Sequence, residues 1–191
     1  MNWTEEKQQQ PRLLVFAGPN GSGKSTVTSR LPIVGHYVNA DELMAMVGCT
    51  AMEAAQQAEA ARELLLAKGK DFTFETVLST PRNLDLLKRA KAASYQIEAV
   101  FVLTNDSAVN VSRVKSRVAW GGHPVPEDKI VSRYEKSLKN LPLLARIADK
   151  TRVIDNTGPS PELICEVEGT TLRVYESRHW KKQDILQLMY T

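Results

Sequence analysis

The stretch Val15–Thr26, VFAGPNGSGKST, decides the fold. The apolar run Arg12–Ala17 stops at Gly18, and after four intervening residues comes Gly23-Lys24-Ser25. This is a complete Walker A signature, and it stands between an apolar strand and the start of a helix, the context the motif requires. Its residues are Gly18, Pro19, Asn20, Gly21, Ser22, Gly23, Lys24, Ser25 and Thr26, all expected to hold a nucleotide. Glycines let backbone N–H groups converge on phosphate oxygens, and the helix N-terminus adds the positive end of its dipole. Lys24 is expected to bridge the β- and γ-phosphates and the Ser25 hydroxyl to ligate Mg²⁺. ATP and Mg²⁺ are therefore the expected cofactors.

Working outward from the loop, strand and helix patterns alternate. A helix is read over Lys24–Arg30, a strand over Gly35–Asp41 and a short helix over Asp41–Gly48. An Ala-rich helix covers Thr50–Lys70, and a strand of aromatic and β-branched residues covers Asp71–Leu78. Ser79 or Thr80 caps a helix with Pro81 at its first position. A strand over Tyr95–Thr104 precedes a helix over Asp106–Trp120. The glycines and prolines of GGHPVP, Gly121–Pro126, force a loop before a long helix from Pro126 to Lys150, expected to bend near Pro142. Arg152–Thr157 is a fifth strand, a hairpin turns around Gly169, and an amphipathic helix spans His179–Met189. The order implies an α/β three-layer sandwich of the P-loop NTPase type: a mostly parallel five-stranded sheet, helices on both faces, a helical lid and a C-terminal hairpin and helix.

At 191 residues the chain is expected to be one domain, with a flexible tail over 1–11, a lid over 106–140 and a C-terminal extension over 158–191. Hydrophobic residues make up 42% and charged residues 25%, an ordinary soluble composition, and two expected reduced thiols, Cys49 and Cys165, fit a cytoplasmic protein. The net charge of +3 suits anionic ligands without indicating nucleic acid. No apolar run approaches a membrane span, so no membrane partner is expected. Cys49 and Cys165 are far apart and in no metal-ligand spacing, and the three histidines are scattered.

The loop letters resemble those of transporter ATPases, but the chain has no LSGGQ-like signature. The NKxD guanine reader of GTPases is also missing. The residues beyond the loop instead form a kinase layout of three parts. Asp41 stands at the exit of the second strand, where ligands of open α/β sheets bind; it reads equally as a general base and as a helix N-cap. Glu75 and Thr76 interrupt an apolar strand expected to lie beside the P-loop strand, and burying an unpaired carboxylate is costly. Glu75 is expected to orient the Mg²⁺ shell or the acceptor, and Thr76 to hydrogen-bond the acceptor. Arg113 and Arg117 share a helix face opposite a stripe of Val111, Val114 and Val118, and Arg133 lies on the returning helix. Around a Gly/Pro tip these arginines read either as a phosphate-closing lid or as two solvated helix faces.

In this order GPNGSGKST, VNADEL, FTFET and RVKSRVAWGGHPVPEDKIVSRYEKSLKNL resemble the zeta-toxin family of P-loop kinases, over about Leu13 to Asn156. The resemblance implies an ATP-dependent kinase of a hydroxyl on a small molecule, with a UDP-activated amino sugar as the acceptor and an antitoxin protein as a candidate partner. It implies Asp41 as general base, Glu75 and Thr76 in the acceptor segment, and Arg117 and Arg133 as phosphate-stabilising arginines, with Arg113 a substitute for the first. The chain is shorter than the larger toxins, and Glu75 and Thr76 are adjacent where those toxins read an EGT-like segment. The competing readings are a kinase of another metabolite or nucleotide, and a non-catalytic ATP-binding switch. A polynucleotide acceptor would need stacking aromatics, which are only 6% of the chain, so no nucleic-acid partner is expected.

Overall fold

The computed structural model describes residues 10–190, the side chain of Ala45 apart. In chain order the elements are β1 (Arg12–Ala17), α1 (Lys24–Thr28), β2 (His36–Val38), α2 (Ala40–Val47), α3 (Ala51–Ala67), β3 (Phe72–Thr76), α4 (Pro81–Ala92), β4 (Gln96–Leu103), α5 (Ser107–Ala119), α6 (Glu127–Ile147), β5 (Lys150–Asp155), β6 (Glu162–Glu168), β7 (Thr171–Val174) and α7 (Lys182–Tyr190). They form one mixed sheet of order β2-β3-β1-β4-β5-β6-β7. The five parallel strands are those read from the sequence, and β3 does lie beside β1, with Phe16 opposite Glu75 and Ala17 opposite Thr76.

The central strand β1 fixes the site. From β1 the chain crosses over to place β3 on one side and β4 on the other. That split opens a crevice at the carboxyl ends of the strands, where such sheets bind ligands. Val15, Phe16 and Ala17 are fully buried because β1 has a neighbour on each edge and packing on each face. Alternation divides the apolar residues between two layers. Leu13, Val15, Phe72, Phe74, Ile97 and Phe101 join the large core with Leu84, Leu87, Leu141, Leu144 and Ile185 from α4, α6 and α7. Leu14, Phe16, Val100 and Val102 face the other way, onto Val27 of α1 with Leu31 and Val34.

The sheet has seven strands rather than five. The expected hairpin does not stand apart; β6 pairs antiparallel with β5, and β7 with β6. Without them β5 would expose an edge of unpaired backbone groups. The face of β4–β7 opposite the large core carries alternating charges: Lys150 and Arg173 reach Glu166 at 3.2 Å each, and Arg152 reaches Glu98 at 3.5 Å. Opposite signs side by side let this solvent face do without a covering helix.

Other boundaries moved for local reasons. α1 ends at Thr28, not Arg30, ahead of Pro32, which disfavours helical geometry at Leu31. α3 starts at a reciprocal capping box in which Thr50 and Glu53 bond each other's backbone N–H. Gln10 and Pro11, the end of the expected tail, are tied down: the Gln10 side chain donates to Ser94 O (2.8 Å) and Gln96 N–H to Pro11 O (2.8 Å). The rest of that tail, residues 1–9, lies outside the described residues. Among the described residues no helix is long and apolar enough to cross a membrane.

Candidate active site

The Walker loop runs from the end of β1 into α1 and is moulded against its neighbours. Gly21 and Gly23 have φ of +77° and +85°. A Cβ on Gly21 would lie 2.5 Å from Asn110 O, and one on Gly23 would lie 2.1 Å from the Asn156 side chain. Only glycine fits both the left-handed backbone and that closeness. Two asparagines hold the loop from outside: Asn110 Nδ2 donates to Asn20 O (2.6 Å) and Asn156 Nδ2 to Ser22 O (2.8 Å). Asn110 is in turn hydrogen-bonded to the Thr104 hydroxyl at the end of β4.

The loop leaves donors free. Among the described residues the amide N–H groups of Gly21, Gly23, Lys24 and Ser25 donate to no other group of the chain. Lys24 Nζ bends over them to Gly18 O (2.8 Å) and Pro19 O (3.2 Å). Its enclosure draws the ammonium down from 10.5 to about 8, against the opposing pull of Glu75 and Asp41. Converging N–H groups beside a buried ammonium form an anion-binding concavity. The residues present thus fit a nucleotide phosphate chain, and the exposed Ser25 hydroxyl fits a magnesium ligand beside it.

A cleft of about 410 Å³ opens over this loop, bounded by Lys24, Ser25, Asp41, Glu75, Arg113 and Arg117. The sequence left Asp41 between base and cap. The cap is Asn39, whose Oδ1 accepts from Asp41 N–H (2.9 Å). The Asp41 carboxylate itself has no hydrogen-bond or ion-pair partner among the described residues and faces the cleft. Glu75 is held on one oxygen, Oε1, which accepts from the Tyr37 hydroxyl (2.6 Å) and the Thr28 hydroxyl (3.2 Å). Asn39 Nδ2 donates to the Tyr37 oxygen in turn (3.1 Å). Burial and the bond to Glu75 push the Tyr37 phenol above its ordinary value, so it remains a donor. Thr76 lines the cleft but is already engaged: its hydroxyl oxygen accepts from Leu78 N–H (2.9 Å) and Asn83 Nδ2 (2.7 Å). It fixes a tight turn in which Leu78 has φ of +57°, stapled from α6 by Asn140 Nδ2 to Leu78 O (2.8 Å).

α5 and α6 form the arginine hairpin, with a small core of Val111, Val114 and Ile130. Val118 falls outside the stripe expected of it and is 37% exposed, because it sits at the tip beyond the last packed turn. Arg113 Nη2 donates to Thr157 O (3.2 Å), while Nη1 is buried without a partner. Arg117 lines the cleft and donates to His123 O (3.1 Å). Arg133 reaches across to Asn20 Oδ1 (3.3 Å). Arg113 and Arg117 thus line the cleft and Arg133 bonds the Walker loop, while Arg117 stays exposed to solvent. Tyr134, donating to Thr104 O (2.6 Å), anchors the returning helix to β4.

The zeta-toxin family model matches residues 36–161, from β2 to the threshold of β6. The chain belongs to the zeta-toxin family. The Walker loop lies upstream of the matched segment, so its assignment rests on its own motif and geometry. An uncharacterised Haemophilus influenzae protein is 26% identical over 131 residues, covering 65% of this chain and 94% of its own length. Among solved structures, the AvrRxo1-ORF1:AvrRxo1-ORF2 complex with sulphate ions superposes with a TM-score of 0.69 at 14% identity over 94% of this chain. This zeta-toxin family chain spans 64% of the length of that neighbour. The same complex with ATP gives 0.64 at 15% identity, over 86% of this chain and 60% of the other. A structure from the PezAT chromosomal toxin–antitoxin system of Streptococcus pneumoniae gives 0.54 at 16% identity, over 80% of this chain and 72% of the other. At these identities the superpositions show the shared fold.

Sequence reasoning passed over Thr28, Tyr37, Asn39, Asn110 and Asn156. Thr28 lies in the first helix after the loop, Tyr37, Asn39 and Asn156 lie in or just after strands at their carboxyl ends, and Asn110 lies in the first turn of α5. Their position was a usable signal. Their partners were not, because each bond joins segments at least two elements apart or depends on a backbone turn.

Proposed function

We propose that this zeta-toxin family protein is an ATP- and Mg²⁺-dependent kinase that transfers the γ-phosphoryl group to a hydroxyl of a small molecule. One observation carries the reading: the unsatisfied amides and Lys24 share a single cleft with a carboxylate, Asp41, that no other group uses. The amides and Lys24 bind the phosphates, Arg117 lies over the transferring group, Arg133 ties the lid to the Walker loop through Asn20, and Arg113 ties it to Thr157 beyond β5. Ser25 would hold Mg²⁺, which would supply charge neutralisation at the phosphates when bound. The acceptor oxygen forms a new bond to the γ-phosphorus in line with the breaking bond to the bridging oxygen. ADP leaves with that electron pair, and Asp41 takes the hydroxyl proton. Closure of the α5–α6 hairpin excludes water, which would otherwise be the acceptor.

The family resemblance makes a UDP-activated amino sugar the first acceptor to test. The toxin–antitoxin system of the PezAT neighbour supports an antitoxin as partner. Asp41→Asn tests the reading: transfer falls by about 10²–10⁴-fold while ATP affinity stays within roughly threefold of wild type. Loss of ATP binding in that variant, or ATP turnover that ignores the substitution, overturns the role of Asp41.

A further inference from the structure

Two helical hairpins flank the mouth of the cleft, and each leaves apolar side chains in water at its tip. One is the α5–α6 hairpin, where Trp120 is 91% exposed. Trp120 follows Arg113 and Arg117 at spacings of seven and three, so the three share a helix face. Arg113 and Arg117 line the cleft, and the indole therefore stands on the same stripe, one turn further out. Val111 and Val114, which pack on Ile130 of α6, occupy the opposite face. Trp120 is thus no part of the hairpin's own core.

The other hairpin is α2–α3. α2 begins at the cleft with Asp41, and the turn into α3 carries Met46 (83% exposed), Val47 and Met52 (72% exposed). This turn projects beyond the sheet. α3 runs back toward the amino ends of the strands, where Leu65 O accepts from the Tyr95 hydroxyl (3.2 Å) at the start of β4. Midway, Arg62 lies 5.3 Å from the centroid of the Phe74 ring. Ala51 is eleven residues before Arg62, about 16 Å of helix, whereas Thr76 ends β3 two residues after Phe74, about 7 Å of strand. The turn therefore overhangs the carboxyl ends of the strands by roughly 10 Å.

The hairpins are also opposite in charge. α5 carries Arg113, Lys115 and Arg117 and no carboxylate, while residues 40–61 carry Asp41, Glu42, Glu53 and Glu59 and no lysine or arginine. Lys115 and Glu59 are already ion-paired, with Glu127 and Arg82; the others form no ion pair among the described residues. Long-range attraction thus draws the two tips together, and contact takes apolar surface on both out of water. Methionine thioethers suit the partner, because they adapt their shape to an aromatic ring.

We propose that closure of the α5–α6 hairpin seats the Trp120 indole on Met46, Val47 and Met52, so that the two tips seal the mouth of the cleft. This rests on the kinase reading above and supplies the surface against which its lid closes. Trp120 then acts by keeping water out and touches none of the reacting atoms.

The test uses the full chain with Mg²⁺ and a non-hydrolysable ATP analogue, whose binding is measured separately by calorimetry. Trp120 is one of three tryptophans, and subtracting the emission of Trp120→Phe from that of wild type isolates it. Its emission is expected to shift to the blue as the analogue binds. The shift is expected to be lost in the double variant Met46→Gln/Met52→Gln, whose sites are exposed. A second readout leaves the methionines in place. Cys49 sits in the α2–α3 turn and the other cysteine, Cys165, is buried, so in Trp120→Cys a short bismaleimide can join the new thiol to Cys49. Crosslinking is expected to quicken at least about tenfold with the analogue, as a minor closed population becomes the dominant one. An analogue that binds and leaves either the emission or the crosslinking unchanged overturns the seal, with the kinase reading still standing. So does a blue shift that survives intact in the double variant, which places the indole on the nucleotide or another surface. If the analogue does not bind wild type, the kinase reading falls and the seal with it.

Discussion

Raising the pH from 7.5 to 9 should weaken ATP binding by an amount the Lys24 environment sets. In the free protein its ammonium is held at about 8. Roughly three quarters of the chains then carry the charge at pH 7.5 and about one tenth at pH 9. Binding a phosphate chain needs the charged form, so the apparent affinity should fall roughly eightfold across that interval, about 1.2 kcal/mol. The loss is not unfolding. Lys24 lies below its unfolded value of 10.5, so between about 8 and 10.5 the unfolded chain binds more protons than the folded one. The contribution of Lys24 to stability therefore rises with pH through this window. Titration of a fluorescent ATP analogue with Mg²⁺ at several pH values, beside thermal melts, reads both quantities. Lys24→Arg, whose guanidinium stays charged, should remove the slope whatever its absolute affinity. A wild-type dissociation constant that is flat from pH 7.5 to 9, or an equal slope in Lys24→Arg, refutes the reasoning.

Three further perturbations test the geometry. Gly21→Ala places a Cβ 2.5 Å from Asn110 O on a backbone with φ of +77°; nucleotide titration should show at least about a tenfold loss of ATP affinity, with about 1–2 kcal/mol lost in stability. Tyr37→Phe removes the 2.6 Å donor to Glu75; steady-state kinetics should show kcat/KM for the acceptor falling roughly 10- to 100-fold, with ATP affinity nearly unchanged. Phe72→Ala empties a fully buried site between Phe74 (6.1 Å) and Tyr95 (5.9 Å); urea unfolding should report a loss of about 3–5 kcal/mol.

The parallel half of the fold was legible because its signals are local. The apolar run before Gly18 and the aromatic run Phe72–Phe74 each name a strand from neighbouring residues alone. The strand count was not legible: whether Glu162–Glu168 joins the main sheet depends on pairing with β5, a contact that leaves no local pattern beyond alternation. In the site, glycines and Lys24 declared themselves through spacing. The role of Asp41 could not be separated from capping until Asn39 was seen to cap α2, two residues earlier. Thr76 was legible as a site residue by position, but the turn that occupies its hydroxyl depends on Leu78 adopting a positive φ, which a leucine does not advertise. The arginine hairpin shows a similar limit. Its helices and tip could be read, but the reach of Arg133 to Asn20 joins residues 113 positions apart.

The central claim is that the γ-phosphoryl group goes to an organic hydroxyl and not to water. Running the reaction in ¹⁸O-enriched water with UDP-activated amino sugars as acceptors, and weighing the products, tests this directly. The account predicts an acceptor that gains a phosphoryl group free of solvent ¹⁸O, with little ¹⁸O-labelled inorganic phosphate, and loss of that product in Asp41→Asn. Inorganic phosphate carrying solvent ¹⁸O as the sole phosphorylated product, formed equally by wild type and Asp41→Asn, would contradict it.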